Sequence, residues 1–153
     1  YTEITQINAP TTIDKFLSIG NVFVTNDDKY FVIRMGYKPT YYAVYELETQ
    51  KYITLFKVPG WSLYLYYKDN IFYSSNGKSR NFELSVNNQT VSKLKQKQLS
   101  IINPFECYSL RLDPVKDSSM DNHVFIQEEC LPHLEYLFCW KYAGSVLKIM
   151  KKM

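Results

Sequence analysis

A short pattern occurs three times in this chain, and it restricts the possible folds more than any other feature. Asp28-Lys29-Tyr30-Phe31-Val32-Ile33 returns as Asp69-Asn70-Ile71-Phe72-Tyr73-Ser74, and again as Asp121-Asn122-His123-Val124-Phe125-Ile126. Each copy is a polar turn leading into an apolar stretch that favours β structure. Each is followed by a second strand-like run: Tyr42 to Leu47, Phe82 to Val86, and Tyr136 to Trp140. A unit recurring every ~40–50 residues points to stacked β-units rather than to one enzyme core.

The composition agrees. Aromatic residues make up 16% of the 153 residues, with 14 Tyr and 9 Phe against 5 Gly, and such side chains suit a pleated, half-buried surface. Length alone indicates one domain with a real core. The net charge of +3 is too small to argue for a nucleic-acid partner by itself, although the basic excess gathers after residue 60, at Lys93, Lys95 and Lys97 and at Lys141, Lys148, Lys151 and Lys152. No segment reaches the roughly 18 consecutive apolar residues of a spanning helix. Three cysteines, Cys107, Cys130 and Cys139, are too few for a disulfide framework and suggest reduced thiols inside a cell. The sequon Asn88-Gln89-Thr90 keeps a secreted location open. A start at Tyr1 instead of Met suggests a processed product or a piece of a longer chain.

Residues 1–20 read as an irregular segment or a short helix, Thr11 to Gly20 fitting one or two helical turns closed by Gly20 or equally a strand with a Gly end. Residues 21–153 read as the β-repeat domain. Within it, Tyr30 to Met35, Tyr41 to Leu47 and Tyr52 to Val58 are predicted strands, interrupted by Pro59-Gly60. Ser62 to Tyr67, Ile71 to Ser74, Asn81 to Val86 and Thr90 to Leu94 follow, with Asn76-Gly77 as the strongest hairpin signal. Cys107 to Leu112, His123 to Gln127 and Tyr136 to Lys141 form a third, less regular unit. The last residues, Ala143 to Met153, fit either a helical face or a final strand at Ser145 to Ile149.

The order of these pieces, an Asp-Asn turn, an apolar strand, an aromatic-Glu-Leu strand, a polar hairpin and a last apolar strand, resembles a β-propeller blade of WD40-like or kelch-like type. Asp28 to Phe56 and Asp69 to Leu94 each look like most of one blade. The resemblance covers about residues 21–150 at the level of architecture. The WD dipeptide, the Gly-His pair and the kelch double Gly are missing, so no family binding residue carries over. The expectation is an all-β fold of about three antiparallel propeller-like units, alone or within a larger propeller. Three blades would leave open edges, expected near Asn21 to Thr25 and near Ser145 to Ile149 and covered by another copy, a parent chain or a partner. The alternative is a single Tyr-rich β-barrel or pleckstrin-like domain with a C-terminal helix.

Candidate sites are few. His123, Cys130, His133 and Cys139 fall close together, yet their spacing matches no standard zinc pattern, and a core Cys139 with loop positions for Cys130 and His133 is the plainer reading. No metal or cofactor is therefore expected. Neither histidine has a nucleophile signature around it, and the glycines are scattered, so a non-enzymatic protein is expected. Trp61, Tyr64, Tyr66 and Tyr67 are candidate anchors for another protein chain, because Trp and Tyr dominate interface hot spots. About half of them must be core, since a strand buries alternate residues. Lys93, Lys95 and Lys97 alternate, so on one strand they share a face, either as a nucleic-acid surface with the nearby tyrosines or as charges guarding an edge. The reading is a protein-protein interaction scaffold, with a nucleic-acid-binding β-domain as the alternative.

Overall fold

The computed structural model describes residues 2–9, 19–36, 38–114, 122–127, 136–141 and 146–151. In chain order these form β1 (Thr2–Asn8), β2 (Ile19–Val24), β3 (Tyr30–Met35), β4 (Thr40–Glu46), β5 (Lys51–Val58), β6 (Tyr64–Lys68), β7 (Ile71–Ser75), β8 (Asn81–Ser85), β9 (Thr90–Leu94), α1 (Gln96–Ile102), β10 (Phe105–Glu106), β11 (Tyr108–Pro114), β12 (Asn122–Gln127), β13 (Tyr136–Lys141) and β14 (Val146–Lys151). Two antiparallel sheets result, ordered β1-β14-β13-β12-β11-β2-β3-β4-β5 and β10-β6-β7-β8-β9. Two consecutive four-stranded meanders, β2 to β5 and β6 to β9, lie within them.

The recurring turn does local work. Asp69 and Asn70 have φ of 50° and 64°, and Lys68 pairs directly with Ile71. Two successive left-handed residues give the turn twist that suits a tight hairpin, and Asp and Asn tolerate that geometry best after Gly. Asp28 occupies the same region at φ 57° between β2 and β3. Asn76-Gly77 behaves differently from expectation. Ser75 pairs with Asn81, so residues 76–80 form a longer loop. Asn76 holds that loop by accepting the backbone N–H groups of Lys78 at 2.9 Å and Arg80 at 3.1 Å.

The first meander is buried on both faces. Val22, Val24, Phe31, Ile33, Met35, Ala43 and Tyr45 face one apolar cluster, which Ile7 of β1 also joins. Phe23, Tyr30, Val32, Tyr42, Val44, Phe56 and Val58 face the other, where they meet Leu65, Tyr67, Phe72, Phe82 and Leu84 of the second meander. This explains the unbroken apolar runs Phe31 to Ile33 and Tyr41 to Tyr45, since a strand covered on both sides loses its polar alternation. Each large side chain fully buried here contributes ~1.5–3 kcal/mol.

Several expectations are corrected. Thr2–Asn8 is a strand, paired with β14, rather than an irregular segment; the helix expected from Thr11 onward falls mainly on residues 11–18, outside the described residues. The C-terminal segment is the strand Val146–Lys151, so the C-terminal helix of the alternative fold is not formed. No closed barrel exists among the described residues: the Tyr52 hydroxyl donates to the Asn8 carbonyl at 2.8 Å, but β1 and β5 share no ladder. The expected edges are interior. β2 is flanked by β11 and β3, and β14 by β13 and β1; the sheet ends are β1, β5, β9 and β10. The returning chain fills the expected gap, with Tyr108, Ser109 and Leu110 pairing to Val24, Phe23 and Val22. No helix among the described residues is long and apolar enough to cross a membrane.

Candidate functional site

Two exposed aromatic side chains, Trp61 and Tyr64, follow the point where Pro59-Gly60 leaves β5, and a third, Phe105, stands on β10. Gly60 has φ +76°, and a Cβ there would lie 2.1 Å from Arg80 Nη1. Only glycine both turns the chain here and lets the Arg80 guanidinium lie against its backbone. The Thr40 hydroxyl donates to the Gly60 carbonyl at 2.9 Å. Two residues on, Ser62 is buried, and its carbonyl accepts from Arg34 Nη1 at 2.7 Å. Its hydroxyl accepts from Tyr42 at 2.7 Å and also meets the Ser74 hydroxyl. Trp61 therefore sits between two pinned neighbours and is 39% exposed. Burial lowers the pKa of the Arg34 guanidinium.

Tyr64 lies beside it on β6 and is 41% exposed. Its ring rests on the 76–80 loop, where a Cβ on Gly77 would come within 3.1 Å of the ring. Across β8 and β9, Pro59, Arg80, Phe82, Lys93 and Leu94 line a crevice of about 300 Å³. Its two cationic side chains are accompanied by no carboxylate in the lining, and Phe82, Leu94 and Pro59 make its apolar part. Lys93 pairs in register with Phe82, so both stand on the same face of the sheet. The adjoining strand β9 is exposed from Thr90 to Lys93 and has β8 as its single strand neighbour among the described residues.

The four aromatic candidates separate by the alternation of β6. Trp61 and Tyr64 are exposed, Tyr66 is half-buried and Tyr67 is core. Burial raises the phenol pKa of Tyr66, with the nearby Glu106 carboxylate adding to it. The lysine stripe breaks up, which corrects the expectation of one shared face. Lys93 belongs to β9, Lys95 caps α1 and Lys97 lies within the helix. The helix start carries signals that the strand reading passed over: the Gln98 side chain accepts the Lys95 N–H at 2.9 Å, and Asn103 ends the helix at φ 50° before Pro104. Arg80 was not among the candidates, although it directly precedes β8, whose hairpin partner β9 carries Lys93.

A second polar cluster joins the recurring turns. Asn70 Oδ1 accepts from the Tyr30 hydroxyl at 3.1 Å, the Tyr67 hydroxyl at 3.2 Å and Lys29 Nζ at 3.2 Å, and Tyr67 also reaches Asp27 Oδ2 at 3.1 Å. Burial, with the adjacent Asp27 carboxylate, pushes the Tyr67 phenol pKa up. These groups satisfy one another, so the cluster reads as a joint between the meanders. Cys107 is buried at the same inter-sheet core, and burial raises its thiol pKa, which keeps it protonated.

Of the four side chains weighed as metal ligands, Cys130 and His133 lie outside the described residues. His123 pairs with Trp140 in register, and Cys139 with Val124. Among the described residues, no group of three or more His, Cys, Asp or Glu side chains is placed to hold a metal ion. Asn88 is exposed in the turn between β8 and β9. Compared with protein-family models, curated proteins and solved structures, the chain matches none.

Proposed function

We propose that this protein is a non-enzymatic interaction scaffold built from propeller-like β-repeats, and that it binds another protein chain at the Trp61 and Tyr64 corner. The observation that carries this reading is the pair of exposed aromatic side chains beside pinned backbone, 39% and 41% exposed. Rigid aromatic side chains give large contact area at low entropic cost. The two four-stranded meanders support the repeat reading, each having an Asp or Asn turn between its first two strands.

A comparison of affinity capture by wild type and by Trp61→Ala/Tyr64→Ala tests the proposal. Retention of the same partner by both proteins would exclude this corner. The second reading, single-stranded nucleic acid, draws on Arg80 and Lys93 lining one crevice with no carboxylate in it. It requires oligonucleotide binding that weakens steeply with salt and is lost in Lys93→Ala.

A further inference from the structure

We propose that the free edge of β9 takes up an extended acidic segment of another protein as an added strand, with its carboxylates against Lys93 and Arg80. The inference deepens the scaffold reading and rests on it. Three observations carry it. Among the described residues β9 ends its sheet and is exposed along Thr90 to Lys93, so its outward backbone N–H and C=O groups are offered for pairing. Val91 and Lys93 stand on the same face as Leu84 and Phe82, so an added strand extends that face over Val91, which is 37% exposed. The crevice at the end of this face holds Arg80 and Lys93 and no carboxylate.

A residue directly across a ladder places its Cβ ~5 Å away, so an acidic residue opposite Lys93 meets the ammonium at once. Lysine on an edge strand usually discourages pairing. Here the same charge discriminates among partners, because it repels a second copy of this edge, with its own Lys93 and Arg80, and favours an acidic strand.

The probe is the peptide acetyl-Thr-Glu-Val-Glu-Thr-Glu-Val-amide, titrated into the whole chain at low salt and followed by backbone amide NMR. The expected result is saturable shifts centred on Thr90 to Leu94, with binding about tenfold weaker in Lys93→Gln and in the Lys-for-Glu peptide. Arg80→Glu/Lys93→Glu should reverse the preference toward the Lys peptide. Both sites are exposed, and unchanged circular dichroism confirms that the variants fold. Absence of shifts on β9 overturns the proposal. Equal binding by a peptide N-methylated at alternate residues also overturns it, since charge alone would then explain the affinity. Tighter binding of an oligothymidylate at the same amides would assign the edge to nucleic acid instead. If the peptide fails while Trp61→Ala/Tyr64→Ala still loses a captured partner, the edge proposal falls and the scaffold reading stands.

Discussion

The Tyr30 hydroxyl donates to the Asn70 side-chain oxygen over 3.1 Å, across 40 residues of chain. The tyrosine that follows the first recurring turn is thereby tied to the second copy of that turn. Tyr67 completes the joint from the second meander, with its ring 5.9 Å from Tyr30 in an edge-to-face contact. The turn thus shapes its own hairpin and also fastens one meander to the next.

Replacing Asn70 tests this joint. Asn70→Ala removes the acceptor of three donors and puts alanine at φ 64°. A loss of about 2 kcal/mol is expected from leaving buried hydroxyls less satisfied and from the left-handed backbone. Asn70→Asp keeps an acceptor and tolerates the turn, so it should stay near wild type. Urea unfolding midpoints decide, and an unchanged midpoint for Asn70→Ala would show that the joint contributes nothing.

Gly60→Ala should destabilise by about 1–2 kcal/mol through its backbone alone. The atom a new Cβ would meet is the far end of Arg80, a side chain that can swing away. Arg80→Ala should therefore leave most of the Gly60→Ala penalty in place. Full rescue in a thermal melt would mean that the clash, rather than φ +76°, sets the cost.

Stability should fall in alkali. Burial raises the pKa values of the Tyr42, Tyr52 and Tyr67 phenols above the ordinary value of 10.0. A raised pKa means that the folded state holds these protons more tightly, so the stabilisation is complete below pH 10 and is lost as pH climbs above it. Tyrosinate absorbance from Tyr42, Tyr52 and Tyr67 should appear only together with unfolding. A single smooth titration of all 14 tyrosines with the fold intact would contradict this.

Self-association should increase with salt. At 0.1 M salt the screening length is about 10 Å, so Lys93 and Arg80 still oppose pairing of two β9 edges; near 1 M it shrinks to about 3 Å. Sedimentation should find larger species at high salt and fewer of them in Val91→Lys, which adds a charge to the exposed edge. Association that weakens as salt rises would point to attractive charge pairing between copies instead.

The β character and most strand positions were legible in the residues themselves. Tyr136–Lys141 was read to its ends, and Pro59-Gly60 was read as a break, because alternation, aromatic content and turn chemistry act over a few neighbouring residues. The helix Gln96–Ile102 was equally local, with Gln98, Asn103 and Pro104 as its signals, and the alternating lysines masked it. Half of the aromatic site was also legible, since strand alternation already required some of Trp61, Tyr64, Tyr66 and Tyr67 to be core.

What the amino-acid sequence determined by itself was most of the central strands, several of their turns and the faces that must be buried. Which strand neighbours which was decided only in three dimensions. The pairing of Val22, Phe23 and Val24 with Leu110, Ser109 and Tyr108 made β2 an interior strand, and β1 did the same for β14. The physical reason is that periodicity encodes which way a side chain points, whereas a partner strand many residues away is selected by the fit of whole apolar faces. Phe23, Tyr42 and Phe56 closing on Phe72 and Phe82 is such a fit, and no local pattern in the chain records it.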